Sequence, residues 1–262
     1  MQNLSIAFPQ KNLKERKAIA RQFYKNLVDT FLESIKSLSM SNASLLKHTQ
    51  SDFSAIDALI KKGKNIQLHS GHQMNWEFAN FAFSLRLSIP LLGVYKRIKS
   101  RPIENLFLKL RKRGSLVLIP LQDFRSRSQH LFNAQYALGL IADQNARDAY
   151  KAYWLNFFGK PVPFVTGPDK GARLHNPAIV FVKMVKLKRG YYRYDATVFT
   201  ENGAQCSEGE ITCSYRDFLE DTIRQDPANY LWTHRRWRRG FKASYQKHWI
   251  DTTPAPQAEV QE

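Results

Sequence analysis

The stretch "LHSGHQMNWEF" (Leu68–Phe78) joins two apolar runs of different kinds. The run that leads into it, "NIQLHS" (65–70), is short and apolar, which predicts a strand. The run that leaves it predicts a helix over residues 76–87. Strands and helices that alternate in this way are typical of layered α/β folds. The stretch therefore predicts an α/β architecture with several polar side chains at a strand-to-helix turn.

The same alternation continues over the first two-thirds of the chain and predicts a layered mixed sheet flanked by helices. We expect one domain over residues 1–250 and a disordered tail over 251–262. The further strands are predicted over 89–95, 115–120 and 138–143, with a hairpin of strands over 178–187 and 191–199. The further helices are predicted over 12–38, 52–62, 102–112, 125–138 and 215–224.

The N-terminal helix predicted over 12–38 is amphipathic, with Lys and Arg crowded on its polar face. Asn12, with Glu15 three residues later, resembles a capping box. Two interpretations of this helix remain open: it packs on the core like an ordinary surface helix, or it lies on an anionic membrane. Its apolar stripe consists of Ile19, Phe23, Leu27, Val28, Phe31, Leu32 and Ile35.

The charge balance narrows the classes of partner. The chain of 262 residues has 40 Lys and Arg against 22 Asp and Glu, a formal net charge of +18. Such a charge attracts polyanions, namely nucleic acid, anionic lipid headgroups or an acidic carrier protein. Charge alone does not choose among them, although no nucleic-acid-binding motif accompanies it. The two cysteines, Cys206 and Cys213, form no disulfide framework, which indicates a reducing compartment.

The sequence predicts no signal peptide and no membrane-spanning helix. Residues 1–9 are a short segment without a basic flank. The most apolar long window, residues 78–95, is interrupted by Asn80, Arg86 and Pro90, whereas a span needs about 20 nearly unbroken apolar residues. We therefore expect a soluble or peripheral protein.

The histidines of the opening stretch are candidates for a general base. A histidine base needs one ring nitrogen free, and a carboxylate on the other nitrogen fixes its tautomer. Glu77 follows His72 by five residues and can fold back from the first helical turn, whereas the residue at that spacing after His69 is Met74. The candidate catalytic pair is thus His72 and Glu77, with Asn75 as a possible donor; the alternative is a loop with a structural histidine. No nucleophile elbow is present, so the substrate would supply the attacking hydroxyl.

Several motifs fall in the order and spacing of a known family. From about Asn3 to Trp237, the chain resembles the bacterial lipid A biosynthesis acyltransferases, the lauroyl and myristoyl transferases of the lysophospholipid acyltransferase superfamily. Glycolipid acyltransferases that modify other lipids share much of this pattern, so the resemblance indicates the family more firmly than the substrate. The motifs are "GHQMNWE" (71–77), "GVYK" (93–96), "RKRG" (111–114), "ADQ" (142–144), "FFGKPVPFVTGP" (157–168) and "PANYLWTHRRW" (227–237).

The resemblance implies a glycerolipid-acyltransferase-like fold and an activity. A fatty acyl chain would pass from an acyl thioester to a hydroxyl of a lipid A precursor or related glycolipid. His72 matches the general base, and Glu77 matches the acid that orients it. Family members usually have an arginine where this chain has Lys96, so Lys96, Arg97 or another cation would contact a phosphate or the oxyanion. The other matches would bind substrate or shape the site, and they are Arg113, Gly114, Asp143, Gln144, Thr166, His234, Arg235 and Arg236.

Some of these residues have simpler explanations. Arg113 would equally suit a solvated charge at the end of a basic helix, and Asp143 would equally cap a turn. The run "HRRWRRG" suits lipid phosphate as well as a solvated surface. Residues 157–159 are expected to serve packing and a turn. Residues 80–92, "NFAFSLRLSIPLL", are the predicted apolar wall of a tunnel for the acyl chain.

The resemblance also implies partners and a location. It implies no cofactor and no metal, with acyl-carrier-protein or coenzyme A thioester as co-substrate. Acyl carrier protein and anionic membrane lipid are the expected partners, at the cytoplasmic face of the bacterial inner membrane, and no nucleic acid is expected. Family members usually carry a hydrophobic anchor upstream of the segment that is "MQNLSIAFP" here, so either the start is misplaced or attachment relies on charge and the helix over 12–38.

Two other functions stay open on the sequence. One is a family member that binds lipid without catalysis, since a fold does not guarantee a function. The other is a basic nucleic-acid-binding protein, which the net charge of +18 alone supports.

Overall fold

The computed structural model describes residues 1–256, apart from the side chains of residues 125, 128 and 129. Strands β1 to β9 are Thr49–Gln50, Ile66–Ser70, Leu91–Tyr95, Leu116–Pro120, Ala137–Ile141, Ala152–Phe157, Lys160–Val165, Ala178–Lys188 and Tyr191–Thr200. Helices α1 to α9 are Gln2–Ala7, Leu13–Ser37, Asn42–Lys47, Ser54–Lys61, Trp76–Arg86, Arg101–Arg111, Phe124–Leu131, Gly167–His175 and Glu210–Gln225.

The main sheet has seven strands in the order β1-β9-β8-β2-β5-β3-β4. Strands β8, β2, β5, β3 and β4 run parallel, and β9 is antiparallel to β8. Strands β6 and β7 form a separate antiparallel pair. Because the central strands are parallel, their carboxyl ends meet at one edge of the sheet, where α/β proteins place ligands. The predicted mixed α/β sheet is confirmed.

Helices cover both faces of the sheet, as the alternation of side chains along β8 shows. Val180 and Val182 pack in one apolar cluster with helices α3, α4 and α5. Ile179 and Phe181 point to the other face and pack with α8, α9, β6 and β7. Successive side chains of a strand point to opposite faces, so a strand buried on both faces is apolar throughout. This double burial explains why the first five residues of β8, 178–182, are all apolar.

Most predicted elements are present, with shifted ends. The helix predicted over 125–138 is wrong in its second half, since α7 ends at Leu131 and β5 begins at Ala137. The helix predicted from residue 215 begins earlier, at Glu210. The hairpin of β6 and β7 was not predicted as strands, although the predicted turn at 157–159 is present, with φ values of 52° at Phe158 and 70° at Gly159. None of the helices over residues 1–256 is long and apolar enough to span a bilayer.

The N-terminal helix α2 begins with the predicted capping box. Asn12 Oδ1 accepts a hydrogen bond from the Glu15 amide at 3.0 Å, and Glu15 Oε2 accepts one from the Asn12 amide at 2.8 Å. The two bonds satisfy donors that a helix N-terminus otherwise leaves unpaired. Only the first half of α2 packs its apolar residues on the core, with Phe23 buried and Ile19 and Leu27 partly buried.

The segment after Ile250 packs against the domain at its first residues. Asp251 lies against α9, where its carboxylate accepts hydrogen bonds from Arg216 and from the amide of Asn156. The carbonyl of Thr253 accepts a hydrogen bond from the Trp249 indole at 2.7 Å. The first residues of the tail predicted over 251–262 thus contact the folded domain, and the disorder of the tail stays a prediction. Residues 257–262 lie outside the described part of the chain.

Candidate active site

The site lies at the carboxyl ends of β2 and β5, which are neighbours in the sheet. Ser70, the last residue of β2, pairs with Ile141, the last residue of β5. Two residues beyond these ends stand His72 and Asp143, so the register of the sheet sets the two side chains side by side. His72 Nδ1 and Asp143 Oδ1 are 2.5 Å apart, and the His72 amide donates to Asp143 Oδ2 at 3.0 Å. Asp143 thus holds both the backbone and the ring of His72.

This contact determines the charge of both groups. Burial raises the pKa of the Asp143 carboxyl, but the His72 charge and hydrogen bonds from His72 and Tyr230 outweigh it, giving a pKa of about 2. Burial lowers the pKa of His72, yet the charge of Asp143 and the hydrogen bond to it produce a net rise. The side chain of His72 is 23% exposed, against 1% for Asp143. A buried anion therefore holds an imidazole whose ring reaches solvent.

The prediction that Glu77 orients His72 is wrong, because Glu77 pairs with another residue. Its carboxylate accepts two hydrogen bonds from Arg111 Nε, at 3.0 and 3.1 Å, and one from Arg111 Nη2 at 2.5 Å. The Trp76 indole also donates to Glu77 Oε1 at 3.1 Å. The Trp76 ring meets the His72 ring edge-on, with centroids 5.8 Å apart. Trp76 thus stands next to both the histidine and the Glu77–Arg111 pair.

A groove of about 630 Å³ opens beside His72. Glu77 and Arg111 also line it, and the remaining lining is mostly apolar. Its walls come from β2, β3, β4, β5, β8 and helices α2, α5 and α6. The predicted wall over 80–92 contributes Asn80, Phe83, Leu91 and Leu92 to this lining. The groove has the volume and the apolar character that small-molecule sites generally have.

Asn75 shapes the turn between β2 and α5. Its side-chain oxygen accepts hydrogen bonds from the amides of Glu77 and Phe78, at 3.1 and 3.4 Å, and so caps α5. Its side-chain nitrogen donates to Glu33 of α2 at 3.2 Å. Asn75 is completely buried, so its observed contacts are with the protein. Asn75 therefore positions the turn that carries His72, and its substrate contact stays a prediction.

Arg113 and Gly114, which were predicted to bind substrate or shape the site, make contacts within the protein. Arg113 donates to the carbonyls of Met40 and Ser37 at 2.8 and 2.7 Å, and so satisfies the C-terminal end of α2. Gly114 has a φ of 55°, and a Cβ there would lie 2.3 Å from the carbonyl oxygen of Ser84. The turn therefore requires glycine and packs against α5.

The other predicted binding residues are dispersed. Lys96 follows β3 and lines the groove, whereas Arg97 is exposed and pairs with Asp123 at 2.8 Å. Gln144 is half-buried beside Asp143. Thr166 precedes α8, where its hydroxyl donates to the carbonyl of Lys151 at 3.4 Å. Of these residues, the structure brings only Lys96 to the groove lining.

The C-terminal motif lies behind Asp143. The Asn145 amide donates to His234 Nε2 at 3.2 Å, and the Asn145 side chain donates to the carbonyl of Arg235 at 2.9 Å. Arg236 is buried and donates to Asn145 Oδ1 at 2.8 Å. Burial lowers the pKa of Arg236 to about 10, while the charge of Asp143 acts to raise it. The motif therefore supports the loop that carries Asp143; the Arg235 side chain is exposed.

Two roles were missed by the sequence analysis. Asp143 was assigned to substrate binding, although it is the partner of His72, and Arg111 of the "RKRG" motif was passed over in favour of Arg113. The position of Asp143 at the end of the strand predicted over 138–143, at the same edge of the sheet as the end of the strand that precedes His72, was a signal for the first. Helical spacing of α6 was a signal for the second, since Arg111 lies one residue after the buried Leu110 and four after Phe107, and all three line the groove.

Comparison with known proteins gives one result over almost the whole chain. A model of the family described as bacterial lipid A biosynthesis acyltransferase matches residues 1–239. The matched range includes every residue of the site described above. A search of curated proteins finds no match.

Proposed function

Because the chain belongs to the bacterial lipid A biosynthesis acyltransferase family, we propose that it is an O-acyltransferase that uses His72 as its general base. The substrates would be a fatty acyl thioester and a hydroxyl of a lipid A precursor or related glycolipid. The observation that carries the proposal is the contact between His72 Nδ1 and the buried carboxylate of Asp143 at the mouth of an apolar groove. The overall fold would be that of the glycerolipid acyltransferases.

The geometry suits proton abstraction from an alcohol. With Nδ1–H donated to Asp143, the neutral imidazole presents Nε2 as its acceptor. The acceptor hydroxyl gives its proton to Nε2 while its oxygen attacks the thioester carbonyl carbon. Asp143 then stabilises the imidazolium. A positioned base of this kind typically accelerates a reaction by about 10²–10⁴-fold.

The remaining steps need a group that stabilises the oxyanion and a proton for the departing thiolate. In the tetrahedral intermediate the carbonyl oxygen carries negative charge, and we assign its stabilisation to Arg111, which Glu77 holds in the groove. When the intermediate collapses, the carbon–sulfur bond breaks and the His72 proton goes to the thiolate. The products are an ester and a thiol, so the atoms balance without a cofactor.

The groove suits the acyl chain. Its lining is mostly apolar and includes residues from five strands of the main sheet, namely Leu68, Leu92, Leu118, Leu140 and Val182. Burial of an alkyl chain against such a surface is favourable by about 0.8 kcal/mol per methylene. The thioester end would then lie at the polar mouth, beside His72 and Lys96.

The positive charge suits the partners. A net charge of +18 favours both an acidic acyl carrier protein as donor and an anionic leaflet that holds the acceptor lipid. We assign the protein to the cytoplasmic face of the inner membrane as a peripheral protein, where both would meet.

The test is acyl transfer by a histidine variant. Incubated with acyl carrier protein thioester and a lipid A precursor, the wild-type protein is expected to give the acylated lipid in mass spectrometry. His72→Ala should lower the rate by about 10²–10⁴-fold because the base is lost. His130→Ala, which removes an exposed imidazole from α7, is the matched control and should retain the wild-type rate.

Circular dichroism melting shows whether each variant is folded. A folded His72→Ala protein that transfers acyl chains at the wild-type rate would contradict the proposal. So would a wild-type protein that gives no acylated product from any glycolipid acceptor.

A further inference from the structure

The C-terminal half of α2 buries polar side chains and exposes apolar ones, which is the reverse of an ordinary surface helix. Surface helices normally bury their apolar stripe and expose their polar face. Here the buried side chains are the polar ones, Asn26, Thr30, Glu33, Ser34 and Ser37. The large apolar side chains face outward, with 36% to 61% of each exposed, and they are Tyr24, Val28, Phe31, Leu32, Ile35 and Leu38.

Hydrogen bonds fix α2 in this orientation. The buried carboxylate of Glu33 accepts from the Tyr192 hydroxyl at 2.6 Å, the Gly190 amide at 2.7 Å and Asn75 at 3.2 Å. Asn26 donates to the carbonyl of Ala228 at 3.0 Å. Rotation of the helix to bury its apolar side would leave these buried polar groups unpaired, at a cost of about 1–3 kcal/mol for each group. The outward apolar face is therefore built into the fold.

This face continues into the groove. Phe31, Ile35 and Leu38 are exposed on α2 and at the same time line the groove. On α6, Leu106 does the same, and Ile103 one turn earlier is also exposed. We call the outward apolar side chains of α2 between residues 24 and 38, together with these two of α6, the outer patch. It forms the rim of the groove mouth.

The charges beside the outer patch have one dominant sign. Lys36 on α2 is exposed. So are Lys96 and Lys99 in the loop after β3 and Arg101 at the start of α6. The acidic residues in the same half of α2 are turned to the protein. Glu33 is buried, and Asp29 pairs with Lys186 at 2.7 Å and with Arg189 at 2.8 Å.

We propose that the outer patch docks the protein onto an anionic lipid bilayer, with the groove opening into the acyl-chain layer. An apolar face beside exposed cations fits this partner, because its apolar side chains enter the headgroup boundary and its cations meet anionic headgroups. In this arrangement α2 and α6 lie in the plane of the interface. The proposal specifies the membrane-binding surface of the proposed enzyme, and vesicle binding tests it without any turnover.

The experiment is co-sedimentation with vesicles of phosphatidylethanolamine and phosphatidylglycerol. The double variant Val28→Gln/Leu32→Gln removes two exposed apolar side chains that do not line the groove. We expect this variant to bind the vesicles at least about tenfold more weakly than the wild type, because apolar burial is lost. Its thermal melting should be unchanged. The matched control is Leu174→Gln/Leu187→Gln, which alters two exposed leucines outside the patch and should bind like the wild type. Neutral phosphatidylcholine vesicles and high salt should weaken binding of the wild type.

Three results would overturn the proposal. The first is a wild-type protein that does not bind the anionic vesicles. The second is a folded Val28→Gln/Leu32→Gln protein that binds as tightly as the wild type. The third is a wild-type protein that is a dimer in light scattering and a double variant that is a monomer but still binds vesicles. In that case a second copy of the chain would cover the patch. Vesicle binding without acyl transfer would count against the proposed function alone.

Discussion

At the scale of single residues, the charge of Asp143 governs the site. Its pKa of about 2 keeps the carboxylate ionised at neutral pH, and its contact with His72 raises the pKa of the imidazole. The two groups form a coupled pair, in which loss of one charge changes the proton affinity of the other. A base is active only when deprotonated, so the transfer rate should rise with pH through the raised pKa of His72.

The variant Glu77→Gln distinguishes the role of Glu77 from that of Asp143. The substitution removes the charge that holds Arg111 but leaves Asp143 on His72. We expect a loss of about 1–3 kcal/mol in the free energy of unfolding, because a partly buried guanidinium loses its anionic partner. The acid limb of the pH–rate profile should stay where it is in the wild type. Urea unfolding and the pH dependence of transfer are the two measurements.

A Glu77→Gln protein whose acid limb moves to lower pH would contradict this separation. Such a shift is what a carboxylate on the imidazole itself would produce on neutralisation.

The residue chemistry was only half predictable from the sequence. His72 stood out because it follows a strand and precedes a helix within one short stretch. Asp143 did not stand out as its partner, because it lies 71 positions away and meets His72 only through the pairing of β2 with β5. Local spacing favoured Glu77, and spacing along one turn carries no information about the neighbouring strand.

At the scale of elements, a substitution in the turn before β4 tests how tightly this turn packs against α5. Gly114→Ala places a Cβ 2.3 Å from the Ser84 carbonyl oxygen at a φ of 55°. Gly63→Ala is the matched control, because Gly63 has a φ of 71° but no atom within 4 Å of the added Cβ. We expect Gly63→Ala to lower the free energy of unfolding by about 1 kcal/mol through backbone strain. Gly114→Ala should lower it by about 1–3 kcal/mol more, because the clash adds to the strain.

Equal losses in urea unfolding for the two glycine variants would show that the clash at Ser84 is relieved at no cost. The packing of this turn against α5 would then be looser than described.

Elements with strong periodicity were predictable, and those held by tertiary contacts were not. The long apolar run of β8 and the hairpin to β9 were predicted because both follow ordinary strand patterns. The strand β7 was missed because Pro161 and Pro163 interrupt it, and proline within a strand usually argues against one. Proline is tolerated here because, within residues 1–256, β7 pairs only with β6, so the opposite edge of β7 has no neighbouring strand that would need its backbone N–H groups.

At the scale of the whole molecule, the C-terminal segment fastens the small hairpin to α9. Arg216, 10% exposed, pairs with Asp251, 3% exposed, at 2.9 Å, and Arg216 also pairs with the exposed Asp217 at 2.6 Å. Asp251→Asn should lower the free energy of unfolding by about 1–3 kcal/mol, because the buried guanidinium of Arg216 then keeps only the exposed Asp217 as its anion. Asp217→Asn, the matched control, should change it by less than about 1 kcal/mol. Urea unfolding at neutral pH measures both.

The pH dependence of stability should follow from the same pair. Burial raises the pKa of Asp251, but the hydrogen bonds and the charge of Arg216 outweigh it, so the pKa is lowered on folding. This stabilisation is present above the ordinary pKa of 3.8 and is lost as the pH falls through the folded pKa. Equal stability of Asp251→Asn and Asp217→Asn would contradict the fastening role.

The most direct test of the central claim is the pH–rate profile of Asp143→Asn beside that of the wild type. If Asp143 holds His72 as the base, transfer by a folded Asp143→Asn protein should fall by about 10²–10⁴-fold, the range of a positioned base. The residual acid limb should move to lower pH, because the anion that raises the pKa of His72 is gone. An Asp143→Asn protein with the wild-type rate and an unmoved limb would contradict the account.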